Sequence, residues 1–246
     1  MASAPPSAAR ASATAPLLKV RDLQAWYGES HILHGMQFDV GVGEVVTLLG
    51  RNGAGRTTTL RAMLGLVDRR EGSVRLRSRE LSKLPPHRIA RMGIGYCPEE
   101  RGIFASLSAE ENLMLPPTVG DQAMSVEEIY EMFPNLHERR KSQGSRLSGG
   151  EQQMLALARI LRAGAPLLLL DEITEGLAPV IIKALGRAIH RLRDLGYTIV
   201  MVEQNFRFAA PLADRHYVVE RGRVVETVDK SELTARMDML HEYLGV

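Results

Sequence analysis

Gly50 to Thr57, reading Gly-Arg-Asn-Gly-Ala-Gly-Arg-Thr, constrains the fold of this chain more than any other stretch. The pattern G-x-x-x-x-G-K-S/T makes a loop whose glycines aim successive backbone N–H groups at a phosphate chain, and the helix that follows adds its positive N-terminal end. Arg56 stands where the pattern has lysine; its other fixed positions are met. The flanks agree with this reading. Glu44 to Leu49 is a short apolar run rich in β-branched residues, which predicts a buried strand feeding the loop. After the loop, Leu60, Met63, Leu64 and Val67 fall at i, i+3, i+4 and i+7, the apolar stripe of a helix packed on a sheet.

A second apolar run, Leu167 to Leu170, ends in Asp171 and Glu172. A continuous apolar strand suits a parallel sheet covered on both faces, and acids at its carboxyl end lie where open α/β sheets place ligands. Two carboxylates there need a positive partner, and a magnesium ion held by Asp171 with the Thr57 hydroxyl would supply it. Leu147 to Gln152 (Leu-Ser-Gly-Gly-Glu-Gln) precedes a run of good helix formers through Leu161. Ser148 there serves as an ordinary N-cap or as part of a second anion site at a helix N-terminus.

The remaining segments fall into place around these. Leu18, Val20, Leu23 and Ala25 predict a strand that ends in Trp26-Tyr27, where Tyr27 is either strand-end core or a surface on which a purine stacks. Val74 and Leu76 alternate with charged residues from Gly72 to Arg77, an exposed antiparallel strand. Gly93 to Pro98 reads as another strand, and Ala109 to Ser145 as an inserted helical, polar segment punctuated by Pro116-Pro117 and Pro134. Tyr197 to Val202 predicts a strand ending in Glu203-Gln204-Asn205, Arg221-Gly222 the turn of a hairpin, and Ser231 the cap of a closing helix.

At 246 residues and 45% apolar, the chain suits one large domain or a core with an inserted subdomain. Thirty-one basic against twenty-nine acidic residues give a charge of +2, with no basic cluster longer than Arg139-Arg140-Lys141, which argues against a nucleic-acid partner. A single cysteine, Cys97, excludes an intramolecular disulfide and a zinc knuckle and reads as a small buried apolar residue. No apolar run approaches the roughly 18 residues that span a bilayer.

Together, the phosphate loop, the Leu147 to Gln152 segment twenty residues before an apolar strand, and the acids ending that strand make the chain resemble the ATP-binding subunits of ABC transporters over Leu17 to Val246. The resemblance implies a P-loop ATPase core of α/β class with an antiparallel β-layer, an inserted helical subdomain at roughly 104–163, and a tail at 1–16 outside the fold. In detail it is similar to the LivF-type subunit of branched-chain amino-acid importers and their urea or amide relatives. Pro98-Glu99 stands where most relatives have a glutamine loop, Thr174 to Pro179 reads Thr-Glu-Gly-Leu-Ala-Pro, and Val202-Glu-Gln-Asn205 replaces the usual switch histidine. Lipopolysaccharide-export ATPases, with Gln and His at those two loops, are the neighbouring alternative; a dimerising nucleotide switch is the alternative from another class.

By the same resemblance Tyr27 stacks on adenine, and Gly50, Asn52, Gly53, Ala54, Gly55, Arg56, Thr57 and Thr58 hold the phosphates of ATP. Thr57 and Asp171 hold Mg²⁺, Glu172 activates the attacking water, Gln204 senses the γ-phosphate, and Glu99 acts through water or metal. Ser148, Gly149, Gly150 and Glu151 complete the ATP site of a second, head-to-tail cassette, expected to be a different chain. Separate permease chains, met near Arg101 to Leu107, and a periplasmic binding protein beyond them are implied, at the cytoplasmic face of the inner membrane. Two positions depart from the LivF-type pattern: Ile173 where proline is usual, and Arg56. A planar guanidinium in the space of a compact ammonium predicts retained ATP binding and slowed hydrolysis.

Overall fold

The computed structural model describes residues 15–245, so the tail read at 1–16 lies almost wholly outside the described residues. β1 (Leu18–Tyr27) and β2 (Ser30–Val40) pair antiparallel, β3 (Val45–Leu49) leads into α1 (Arg56–Leu64), and β4 (Arg69–Leu76) and β5 (Arg79–Glu80) follow. These build a four-stranded antiparallel sheet in the order β2-β1-β4-β5. The exposed strand predicted at Gly72 to Arg77 is one end of β4, with Val74 and Leu76 turned inward.

Beyond it come α2 (Pro86–Ala90), β6 (Ile94–Cys97), α3 (Ala109–Met114), α4 (Val126–Met132), α5 (Pro134–Glu138) and the longer α6 (Gly149–Arg162). Serine side chains at 108, 125 and 148 start three of these helices through reciprocal bonds with a glutamate three residues on. α3, α4 and α5 pack on α6, which in turn lies on β6. The chain then runs β7 (Leu167–Asp171), α7 (Pro179–Asp194), β8 (Thr198–Val202), α8 (Phe206–Leu212), β9 (Arg215–Glu220), β10 (Arg223–Asp229) and α9 (Met237–Leu244).

The second sheet has the order β10-β9-β3-β8-β7-β6, parallel throughout except for the β9–β10 hairpin. Its central strands are apolar at nearly every position because each face meets a different core. Leu168 and Leu170 of β7, with Ile199 and Met201 of β8, face α6, α7, α8 and the helical insert. Leu167 and Leu169, with Val200 and Val202, face α1 and the antiparallel sheet. Period-two side-chain alternation thus divides one continuous run between two cores. All parallel strands point the same way, so the loops after β3, β6, β7 and β8 gather at one edge.

Two local expectations shift. α1 ends at Leu64, and Val67 packs on the core from the turn that follows. Ser231 does not cap the last helix: it sits in a short 3-10 turn and α9 starts at Met237. Lys230 sets this delay, its N–H donating to the Asp214 carbonyl at 2.9 Å and its Nζ to the Pro211 carbonyl at 3.0 Å, which ties the stretch to the sheet before a helix can begin.

Candidate active site

The phosphate loop leaves β3 at Leu49 and closes on α1, whose N-terminus has no side-chain cap. The first N–H groups of α1 are therefore free of side-chain partners and point toward the edge where the loops gather. Gly55 makes the entry: its φ of +103° is left-handed, and a Cβ there would stand 2.9 Å from Leu33 Cδ2. The loop is braced from behind by the β9–β10 turn, where Gly222 N–H donates to the Ala54 carbonyl at 2.8 Å and the Gly222 carbonyl accepts from His34 N–H at 2.9 Å. Arg51 reaches the other way and donates to the Glu242 carbonyl of α9 at 3.0 Å.

Arg56 is nearly fully buried and spans three acceptors: the Glu203 carbonyl at 2.9 Å, Asn52 Oδ1 at 3.3 Å and Glu172 Oε1 at 2.9 Å. Gln204 Nε2 donates to the other Glu172 oxygen at 2.8 Å. Both oxygens of that carboxylate are thus engaged. Burial pushes the Glu172 carboxyl above its ordinary range, against the pull of Arg56, and burial lowers Arg56 in turn.

Asp171, at the end of β7, is fully buried and accepts from Thr57 Oγ1 and from the Tyr96 hydroxyl, both at 2.9 Å. Burial raises its pKa in spite of the two hydroxyl donors. A buried carboxylate met only by hydroxyls, one of them on the phosphate loop, is a donor set that suits a divalent cation. Glu99, Glu172 and Glu175 form a second acidic group, with one carboxylate oxygen of each within 4.8 Å of the others. Burial, with Glu175 and Glu100 close by, holds the Glu99 carboxyl above its usual range.

A cavity of about 430 Å³ joins these parts, lined by Tyr27, Asn52, Gly53, Gly55, Arg56, Thr57, Thr58, Glu99, Glu172 and Gln204, together with Ile32 and Glu175. That volume lies within the usual range for small-ligand sites. Gly50 and Ala54 stand behind the loop rather than on the cavity wall; a Cβ at Gly50 would meet the Val219 carbonyl at 2.3 Å. Ser148, Gly149, Gly150 and Glu151 line no part of it. Glu151 N–H donates to Ser148 Oγ and Ser148 N–H to Glu151 Oε2, an N-terminal capping box, and Gly150 lets α6 approach α7, since a Cβ would stand 2.7 Å from Ile181 Cγ1.

Sequence reasoning missed Tyr96, Glu175 and the double contact of Glu203. Tyr96 carried a faint signal: a phenol in the strand that runs into Pro98-Glu99 needs a partner, and the apolar run Leu167 to Leu170 ends in two acids, of which Asp171 is the one it meets.

A model of the ABC transporter family matches residues 33–175, more than half of the chain. The chain belongs to that family. It is an ABC ATP-binding subunit, homologous to the ATP-binding proteins of branched-chain amino-acid transporters. It is 40% identical over 232 residues to the high-affinity branched-chain amino acid transport ATP-binding protein BraG of Pseudomonas aeruginosa, covering 93% of this chain and 100% of BraG. The probable LivF protein of Archaeoglobus fulgidus is 36% identical, over 88% of this chain and 94% of its own. The lipopolysaccharide export protein LptB of Escherichia coli is 33% identical, over 93% and 97%. Among solved structures, an ATP-binding subunit of an ABC transporter superposes with a TM-score of 0.76 at 26% identity, covering 94% of this chain and all of the other. The same fold appears in the post-hydrolysis dimer of the cassette MJ0796 bound to ADP and Pi, with a TM-score of 0.75 at 24% identity over 87% of this chain and 98% of that one. Among the described residues, no helix of this ABC subunit is long and apolar enough to cross a membrane.

Proposed function

We propose that this chain hydrolyses ATP to drive a membrane importer whose cargo is branched-chain amino acids. The observation that carries the hydrolytic reading is the convergence on one cavity of the phosphate loop and the Glu172–Gln204 pair, with the Thr57–Asp171 pair beside them. The cargo rests on the likeness to BraG and LivF.

In this reading the N–H groups of Gly53 to Thr57 grip the β-phosphate and Tyr27 offers its ring to adenine. Bound Mg²⁺, for which Thr57 and Asp171 are the ligands this chain offers, would offset charge on the phosphate oxygens. Glu172 orients and deprotonates the attacking water, Gln204 stands where it meets the γ-phosphate, and Glu99 faces them through water. Arg56 supplies a cation, but its guanidinium is already shared among Glu203, Asn52 and Glu172. Hydrolysis therefore waits on the release of one Glu172 oxygen, and turnover is slow.

Ser148, Gly149, Gly150 and Glu151, remote from their own chain's cavity, complete the site of a second cassette, so two chains close head to tail over two nucleotides. If the second cassette is a different chain with lysine in its loop, the two sites are unequal, and this chain's own site is the slower one. Permease chains dock beside Arg101 to Leu107, where Phe104 is half exposed and Gln152 accepts from Arg101 at 3.0 Å, linking the surface to the start of α6. The helical subdomain at roughly 104–163 carries this contact at the cytoplasmic face of the membrane, and a periplasmic binding protein delivers the cargo.

The test is single-turnover ATP hydrolysis by the chain assembled with its permeases and partner cassette, with Glu172→Gln as the blank. Hydrolysis above the blank is expected; a rate equal to the blank with ATP still bound would make the chain a nucleotide-binding switch.

A further inference from the structure

Glu203 is the residue of the site region whose place packing does not explain. It directly follows β8 with 1% exposure, and burying a carboxylate there costs more than an apolar residue of similar size. Its carboxylate accepts twice from Thr174: Oε2 from Thr174 Oγ1 at 2.7 Å and Oε1 from Thr174 N–H at 3.2 Å. Its main-chain carbonyl accepts from Arg56 at 2.9 Å. Thr174 is itself buried and lies two residues after Glu172, whose φ of +47° is left-handed, a conformation that a non-glycine residue holds only when its surroundings enforce it. On one side the turn is fixed by Glu172 N–H donating to the Val202 carbonyl at 2.9 Å; on the other side the double bond to Glu203 fixes it.

We propose that Glu203 is a positioning residue for hydrolysis: its side chain clamps the turn after Glu172 through Thr174, and that clamp sets where the backbone of Glu172 holds its carboxylate. The inference rests on Glu172 as the water-activating group. Glu203 does not line the cavity; its side chain acts through Thr174, two residues after Glu172. A satisfied core carboxyl would make the same bonds without this consequence, and kinetics separate the two.

Two measurements test the proposal. In the full chain without nucleotide, hydrogen exchange at 173–177 should accelerate about tenfold or more in Glu203→Ala and stay near wild type in Glu203→Gln, whose amide can still bond Thr174. In the assembled transporter, Glu203→Ala should lower kcat about tenfold while KM for ATP stays within about twofold, and Glu203→Gln should restore most of the loss. Thr174→Val should reproduce part of the effect and add nothing to Glu203→Ala. Unchanged exchange at 173–177 in Glu203→Ala would overturn the proposal. So would a wild-type kcat in that variant, or a fall in kcat matched by a rise in KM that glutamine does not rescue. If Glu172→Gln turned over as fast as wild type, the hydrolytic role of Glu172 would fail, and the exchange data would still decide whether Glu203 holds the turn.

Discussion

Arg56 shows how one side chain can keep its charge and change its task. A lysine ammonium is a single compact point; a guanidinium is a planar fork that satisfies several acceptors at once. Here the fork joins a backbone carbonyl, an amide oxygen and the Glu172 carboxylate in a pair exposed by only 4% and 10%. Arg56→Lys cannot bridge all three, so it should free Glu172 and raise single-turnover hydrolysis about tenfold, which needs only ~1.4 kcal/mol off the barrier. A rate that is unchanged or lower would show that the guanidinium does not restrain the carboxylate. His216 carries a prediction about pH. It is fully buried, its Nδ1 lies 2.7 Å from Thr47 Oγ1, and burial, helped by Lys230, pushes it down to about 4 from 6.5. A histidine with a lower pKa in the fold binds fewer protons when folded, so its contribution is intact above 6.5 and is lost as pH falls toward 4. Glu203, pushed up to about 7 by burial, has the opposite sign: its contribution is present below 4.5 and is lost as pH rises through 7. The two act in overlapping windows, so the difference between wild type and His216→Gln isolates the histidine. Urea unfolding should show wild type losing about 2–3 kcal/mol relative to His216→Gln between pH 7 and 4.5. A difference that does not vary with pH would place the ring in contact with water.

At the scale of elements, α1 is held at both ends by groups from elsewhere. Its N-terminus receives the phosphate loop, and its last turn is capped by Arg70, which donates to the carbonyls of Ala62 at 2.6 Å and Met63 at 3.0 Å. The same guanidinium bonds the carbonyls of Ser82, Leu81 and Leu84, fastening the helix to the turn after β5. Arg70→Lys keeps the charge but gathers its donors at one point, leaving carbonyls unmet on one side or the other. A loss of about 3 kcal/mol in unfolding free energy is expected, at roughly 1–3 kcal/mol for each buried acceptor left unpaired; a loss under about 1 kcal/mol would mean that water replaces the arginine. Contacts of this kind mark where sequence reading stops. The strands and helices that build the site were legible because their signals are local: short apolar runs in β3, β7 and β8, glycines around the phosphate loop, and a serine ahead of a run of good helix formers at α6. The partners of Arg56 were not legible, since Glu172 and Glu203 lie 116 and 147 residues away and nothing in the intervening sequence fixes their approach. The late start of α9 was hidden for the same reason, its cause being a bond from Lys230 to Asp214 across the sheet end.

Across the whole molecule, the start of α6 and the cavity at the phosphate loop lie apart. Ser148, Gly149, Gly150 and Glu151 carry the features of an anion site, a hydroxyl and a helix N-terminus, yet none of them lines the cavity that holds the phosphate loop. Within a single chain these residues start α6 and, at Gly150, let it pack against Ile181 of α7, which leaves the exposed Ser148 hydroxyl with no task beyond the cap. A second cassette placed head to tail would bring this surface against its own phosphate loop and supply the missing wall. Ser148→Arg separates the two arrangements, because residue 148 is exposed and a larger side chain disturbs the monomer by little more than the lost cap, about 1 kcal/mol. If the wall is supplied in trans, the isolated Ser148→Arg chain should bind ATP with unchanged affinity, while in the assembled pair hydrolysis at the partner's site should fall about a hundredfold or more and hydrolysis at its own site should persist. Weakened ATP binding by the isolated variant, or loss confined to its own site, would mean that the helix start acts within its own chain, and the head-to-tail arrangement would then have to be abandoned.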